Sequence, residues 1–144
     1  MVKHIHAIVA DDFSALNRKV VAELHSQVPL IENIGHYIIE AGGKRMRPAL
    51  LLLTAGACGV PGPQARILAA VVEFIHTATL LHDDVVDESS LRRGRATANA
   101  TFGNAASVLV GDFLYSRAFQ MMVSVQNMRV LSVLADATNV IAEG

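Results

Sequence analysis

Apolar residues recur every three or four positions along most of the chain, as at Phe13, Leu16, Val20 and Leu24, then Ile31, Ile34 and Ile38. That spacing covers one face of an α-helix, and no stretch alternates cleanly enough to read as a strand. Pro29 separates the first two segments, and Gly42-Gly43 supplies the glycine pair that commonly ends a helix in a left-handed turn. Pro48 suits the first turn of the next helix, which is expected to run to about Gly59. Pro61-Gly62-Pro63 then marks a loop, and Gln64 to about Asp87 reads as one long helix, apolar nearly all round, that belongs at the centre of the fold. Residues 88–97 form a polar connection containing Arg92-Arg93-Gly94-Arg95. A short helical piece follows, then a second long apolar helix from about Asn104 to Val125. The last segment carries Val130, Leu134, Ala137 and Ile141 on one face. The fold class expected from this pattern is all-α.

Composition narrows the picture. A chain of 144 residues with 52% hydrophobic content can bury a core of its own, which excludes a disordered chain. Twelve Lys and Arg against 13 Asp and Glu give a formal charge of -1, leaving no broad basic field to hold nucleic acid. The single Cys58 has no internal disulfide partner and lies in the apolar run 50–60, where a buried, inert thiol is expected. A mean hydropathy of +0.40 raises the question of a membrane. Yet Glu73 and His76 interrupt one apolar window, and Asp112 and Arg117 the other, so both read as helices enclosed in protein and no transmembrane segment is expected. The opening MVKHIHAIVADD is too briefly apolar for an export signal, and a reducing, cytoplasmic location fits.

Asp83, Asp84 and Asp87 place three carboxylates within two turns at the end of the long helix, at spacings that bring side chains toward one face. A solvated charge cluster would explain them equally well by spacing alone. Their position argues further, because the helix C-terminus disfavours negative charge by roughly 0.3 to 1 kcal/mol per residue. Mutual repulsion adds roughly 0.2 to 0.5 kcal/mol per pair. A chain that keeps both penalties beside an apolar face is expected to hold a cation there. Oxygen donors without sulfur favour a hard ion, and Mg²⁺ typically shares a few carboxylates with a substrate phosphate. His82 is read as structural, since its nitrogen suits zinc or iron better.

Basic groups bracket the acidic cluster. In Gly42-Gly43-Lys44-Arg45-Met46-Arg47-Pro48, Lys44 and Arg47 stand three residues apart at a helix start, where free N–H groups also suit an anion. Arg92 and Arg93 follow Asp87 within the reach of a short loop. Guanidinium groups grip phosphate oxygens at two points, so arginines flanking a metal site suggest a diphosphate. His76 lies two turns before Asp83 on nearly the same face, either lining that cavity or satisfied in the core.

Three segments, GGKRMRP at 42–48, EFIHTATLLHDDVVDESSLRRG at 73–94 and FGNAASVLVGDFLYSRAF at 102–119, together resemble the all-trans polyprenyl diphosphate synthases, most of all those making octaprenyl chains. The resemblance covers nearly the whole chain. It implies the isoprenoid-synthase helical bundle around a central apolar cavity, with residues 1–144 as the N-terminal portion of one domain and a homodimer as the full-length assembly. It further implies that Asp83, Asp84 and Asp87 hold Mg²⁺ on the diphosphate of an allylic substrate such as farnesyl diphosphate, with Arg92 touching that diphosphate. Lys44, Arg47, His76 and Arg93 match positions that bind isopentenyl diphosphate. The expected activity is repeated condensation of the two into a long polyprenyl diphosphate, as for a quinone side chain.

Chain length in such enzymes is read by the positions four and five before the first aspartate, which are Thr79 and Ala78. Both are small, which implies an open floor and a long product. Phe119, Met121 and Met122 are candidates for a deeper stop, ordinary core packing being an equal alternative. A second aspartate-rich motif and a Lys-Thr pair would fall beyond Gly144, so residues 1–144 alone are expected to have little or no synthase activity. Two other readings stand beside this one. An HD-type metal phosphohydrolase would use His82-Asp83 and leave the basic segments unexplained, and a noncatalytic subunit of a heteromeric synthase would often lack the intact triplet.

Overall fold

The computed structural model describes the backbone of residues 1–144 and every side chain except that of Val2. Among the described residues it contains eight α-helices and one minimal hairpin. In chain order these are α1 (Val2–Ile8), α2 (Ala10–Glu23), α3 (Pro29–Glu40), α4 (Met46–Ala57), α5 (Pro63–Val86), β1 (Leu91–Arg92), β2 (Arg95–Ala96), α6 (Ala98–Phe102), α7 (Asn104–Ser124) and α8 (Met128–Glu143). The all-α expectation holds.

Local chemistry sets the boundaries. Pro29 and Pro63 open α3 and α5, where the missing N–H costs nothing and the fixed φ is already helical. Gly42, at φ 69, turns the chain out of α3 while its N–H bonds to the Ile39 carbonyl at 3.2 Å. Thr97 caps α6 by accepting from the Ala100 N–H, and Asn127 caps α8 by accepting from the Val130 N–H.

The long helix α5 lies at the centre as expected, packed against α2, α4, α6 and α7. Its inward residues include Ala69, Ala70, Val71, Phe74, Ala78 and Leu81. They meet Leu16 and Val20 from α2 and Val110, Leu114 and Ala118 from α7. Phe74 is fully buried and contributes about 1.5–3 kcal/mol by leaving water. By length and composition α5 could cross a bilayer, but half of its most apolar stretch is enclosed by the other helices. The small residue Gly111 on α7 lets the His82 ring of α5 lie against its backbone, since a Cβ there would fall 2.6 Å from the ring carbon Cδ2.

Two expectations are corrected, for Cys58 and for the polar connection, and two further features, at the N-terminus and in α8, carry no expectation from the sequence. Cys58 is exposed, because the buried side of α4 is set by Pro48, Ala49 and Leu52 and Cys58, just past the helix end, falls on the opposite side. The chain is helical from Val2, with α1 broken from α2 at Val9, where φ is -113 and ψ is 28. The polar connection contains a hairpin, pairing Arg92 with Arg95 and Leu91 with Ala96. Lastly, α8 buries none of its residues: Val130 and Leu134 are half-buried, while Ala137 and Ile141 face solvent because only the start of the helix lies against the bundle.

Candidate active site

Where α3 ends, α4 begins and the hairpin folds back on α5, a cleft of about 700 Å³ opens. Its lining includes Lys44, Arg47, Glu73, His76, Asp84, Arg92 and Arg93. These come from three separated stretches of chain, and the backbone explains how they meet. Arg93 (φ 52) and Gly94 (φ 76) form a two-residue turn with both residues left-handed, the geometry whose twist suits a tight hairpin. It projects Arg93 toward α3, where its guanidinium donates to the Gly42 carbonyl. Gly43 permits that approach, since a Cβ at this position would sit 3.1 Å from the Arg93 Cζ and closer still to Nη1. Arg45, also left-handed at φ 43, bends the chain into α4 and ties it to α2 by donating to Asn17.

Arg47 Nη1 lies 3.1 Å from His76 Nε2. A guanidinium can only donate, so Nε2 is the acceptor and the neutral ring carries its proton on Nδ1. Burial first, then the positive charges of Arg47, Arg93 and Arg92, hold the His76 pKa below the usual 6.5, with Asp83 acting the other way. The imidazole is thus neutral near pH 7, prepared to gain a proton if an anion enters. Glu73 stands one turn earlier on the same face. Its carboxyl is pushed above its ordinary 4.5 by burial, only partly opposed by Arg45, Arg47 and Arg93.

The three aspartates do not share one orientation. With about 100° per residue, Asp87 lies about 40° around the helix from Asp83 and Asp84 about 60° beyond Asp87, so burial rather than helical phase sets them apart. Asp83 and Asp87 are exposed, whereas Asp84 is 5% exposed. Arg92 clasps it at two points, Nη2 to Oδ1 at 2.7 Å and Nε to Oδ2 at 3.0 Å. The Arg92 pKa rises first through that bond, with the charges of Asp84, Asp83 and Asp87 adding to it. Among the described residues, no three His, Cys, Asp or Glu side chains are grouped to hold a metal; Asp83 and Asp87 face solvent beside the Arg92–Asp84 ion pair. Two hard oxygen donors one turn apart, within electrostatic reach of arginines, still fit a Mg²⁺ ion that draws its remaining ligands from water and phosphate.

The remaining predicted residues separate clearly. Lys44 is exposed at the cleft mouth. Ala78 is fully buried in the core and Thr79 donates its hydroxyl to the His76 carbonyl at 2.7 Å, so neither lines this cleft. Met121 and Met122 are core residues, whereas Phe119 is 47% exposed and stacks against Tyr115. His82 turns away from Asp83 toward α7, 3.3 Å from the Val108 carbonyl and 3.5 Å from Asp112. Arg95 is structural, its guanidinium 3.7 Å above the Tyr37 ring while the Tyr37 hydroxyl donates to the Ala96 carbonyl at 2.9 Å. Sequence reasoning missed Glu73, whose signal was its position three residues before His76, and the pair Thr97 and Asn99, which hold the base of the hairpin.

Residues 28–144 match the model of the family described as polyprenyl synthetase. The chain belongs to that family. It is 54% identical over 143 residues to the octaprenyl diphosphate synthase of Haemophilus influenzae, covering 99% of this chain and 44% of that protein. With the octaprenyl diphosphate synthase of Escherichia coli it shares 57% identity over 140 residues, 97% of this chain and 43% of that one. Among solved structures, a decaprenyl diphosphate synthase from Rhodobacter capsulatus superposes with a TM-score of 0.96 at 51% identity, over 99% of this chain and 44% of the other. A polyprenyl synthase from Caulobacter crescentus, complexed with calcium and isoprenyl diphosphate, gives the same TM-score at 46% identity, over 99% of this chain and 44% of that one. This polyprenyl synthetase chain therefore spans less than half the length of each of these four relatives. Neither the phosphohydrolase reading nor the noncatalytic-subunit reading gains support from relatives named as synthases, and His82 packs against α7.

Proposed function

We propose that this chain supplies the diphosphate-gripping part of a trans-prenyltransferase that joins an allylic diphosphate, such as farnesyl diphosphate, to successive isopentenyl diphosphates, giving a long all-trans chain of octaprenyl length for a quinone. The observation that carries this is the meeting of Lys44, Arg47, His76, Arg92 and Arg93 around one cleft, with Asp83 and Asp87 outside its lining but within electrostatic reach of Arg92. Such a gathering of guanidinium groups suits a multiply charged anion far better than a neutral substrate.

Breaking the allylic C–O bond leaves a carbocation and a diphosphate, so groups that meet the developing anion lower the barrier. In this reading Arg92, aimed by Asp84, meets the departing diphosphate. Asp83 and Asp87 would hold Mg²⁺, which when bound supplies positive charge to that leaving group. Lys44, Arg47 and Arg93 hold the second diphosphate, and His76 accepts a proton as that anion arrives, turning from acceptor to donor. The apolar body of α5 keeps water from the cation. The small, half-buried Thr79 leaves room for a lengthening tail once further helices complete the cavity, with Ala78 packed in the core behind it. A homodimer in the cytoplasm is the assembly and location we assign to the complete enzyme.

The test joins residues 1–144 to the C-terminal part of the Escherichia coli octaprenyl diphosphate synthase, then supplies farnesyl diphosphate, labelled isopentenyl diphosphate and Mg²⁺. Long polyprenyl products are expected, and Asp83→Ala should abolish them while leaving the fold intact. A chimera that turns over equally well with Asp83→Ala, or one that releases inorganic phosphate without chain growth, rejects the assignment. Residues 1–144 alone should show little or no elongation.

A further inference from the structure

The hairpin that presents Arg92 and Arg93 has two residues per strand, too few to fix its own position. Its base, however, is closed by two side chains that touch neither arginine. The Ser89 carbonyl accepts from the Thr97 hydroxyl at 2.8 Å and from the Asn99 carboxamide at 2.9 Å. The same Asn99 nitrogen reaches the Asp84 carbonyl at 3.3 Å, and that carbonyl also accepts from the Ser89 N–H at 2.9 Å. Thr97 is 3% exposed, and its N–H donates to the Ser90 carbonyl at 3.0 Å. One hydroxyl and one carboxamide thus join the end of α5, the loop after it and the start of α6 at a single point. Asn99 Oδ1 is enclosed without a hydrogen-bond partner, so the side chain is held by its donor side alone.

We propose that Thr97 and Asn99 are positioning residues for the diphosphate grip: by fastening the Ser89 carbonyl to α6 they set the register at which Arg92 reaches Asp84 and Arg93 reaches Gly42. The inference rests on the reading of the cleft as a diphosphate site. A loop whose two ends are pinned has few conformations to lose when it binds, whereas an unpinned loop must order its arginines at the expense of affinity. The Tyr37–Arg95 contact holds the far side of the hairpin but does not define where it leaves α5.

The experiment is calorimetric titration of the 144-residue chain with inorganic pyrophosphate and Mg²⁺. Asn99→Leu and Thr97→Val, each removing a donor at nearly constant volume, should weaken binding about tenfold, the equivalent of one net hydrogen bond. Thr97→Ser, which keeps the hydroxyl, should retain wild-type affinity. In an Arg92→Ala, Arg93→Ala background, Asn99→Leu should have no further effect, because its influence passes through those arginines. Should Asn99→Leu fail to fold, the Thr97→Val and Thr97→Ser pair decides the matter. Variants that lose thermal stability yet bind pyrophosphate as the wild type does would overturn the positioning role and leave the cleft reading standing. A wild-type chain that binds no pyrophosphate would overturn both, the cleft reading first.

Discussion

Gly43→Ala is expected to damage binding while sparing stability, a separation that follows from what the new methyl group would meet. Gly43 is exposed and its backbone is not left-handed, so alanine can adopt its conformation. The added Cβ would overlap Arg93 Nη1 and lie 3.1 Å from Cζ and 3.3 Å from Nη2. All three atoms are the far end of a flexible side chain, so the guanidinium moves and the backbone does not. Folding then loses the exposed Arg93 bond to the Gly42 carbonyl and gains about 0.4–1 kcal/mol from the less flexible unfolded chain. Because the lost bond lies in solvent, the two effects should leave stability within about 1 kcal/mol of wild type.

Binding has no such compensation. An arginine displaced from a phosphate forfeits a charge-assisted contact of about 1.5–3 kcal/mol, which is roughly a ten- to hundredfold weaker pyrophosphate affinity. Calorimetric titration with pyrophosphate and Mg²⁺, paired with thermal unfolding followed by circular dichroism, reads both quantities. Arg93→Ala should reproduce the loss, and the double variant should be no worse than either single one. Unchanged affinity in Gly43→Ala, or losses that simply add, would show that Arg93 does not act from this position.

Asp84→Asn should destabilise the chain by about 1–3 kcal/mol in urea, because the buried carboxylate that anchors Arg92 becomes a weaker partner; an unmoved midpoint would count against that anchor. Glu73→Gln should stabilise the chain at neutral pH. Since the folded pKa lies above 4.5, the folded chain binds the Glu73 proton more tightly, so the cost of the carboxylate is absent below pH 4.5 and grows as pH rises through the folded value. The gain from glutamine should therefore fade as unfolding is repeated below pH 4.5, and a gain that persists there would contradict the burial argument. His76 has a depressed folded pKa, so its contribution to stability is complete above pH 6.5 and is lost as pH falls below 6.5 toward the folded value. Nitrogen-edited NMR should place its titration below 6.5 and move it upward on adding pyrophosphate, and a midpoint insensitive to the anion would argue that none binds beside it.

Helical order and the central place of the 63–86 helix were legible in the sequence because a strong 3.6-residue period and proline or glycine boundaries act locally. Residues 42–48 and 92–93 could be associated because guanidinium chemistry is recognisable without coordinates. Side-chain direction was less accessible. The spacing of Asp83, Asp84 and Asp87 suggested one shared volume, yet the decisive fact is tertiary: Arg92, arriving on a hairpin, draws Asp84 inward. Cys58 was misjudged because an apolar run does not reveal where a helix will end. Thr97 and Asn99 carry no signal of their own beyond a helix cap, since their partners are backbone carbonyls, which every residue possesses.

The left-handed backbone at Arg93 has a consequence for how this position tolerates change. Glycine would relax that conformation, while arginine holds it against roughly 1 kcal/mol of local strain. A library sorted for thermal tolerance alone should therefore drift toward glycine at residue 93, whereas one sorted for pyrophosphate binding should keep the strained side chain. The gap between the two selections would measure how much foldability the molecule gives up to keep a cation at that corner.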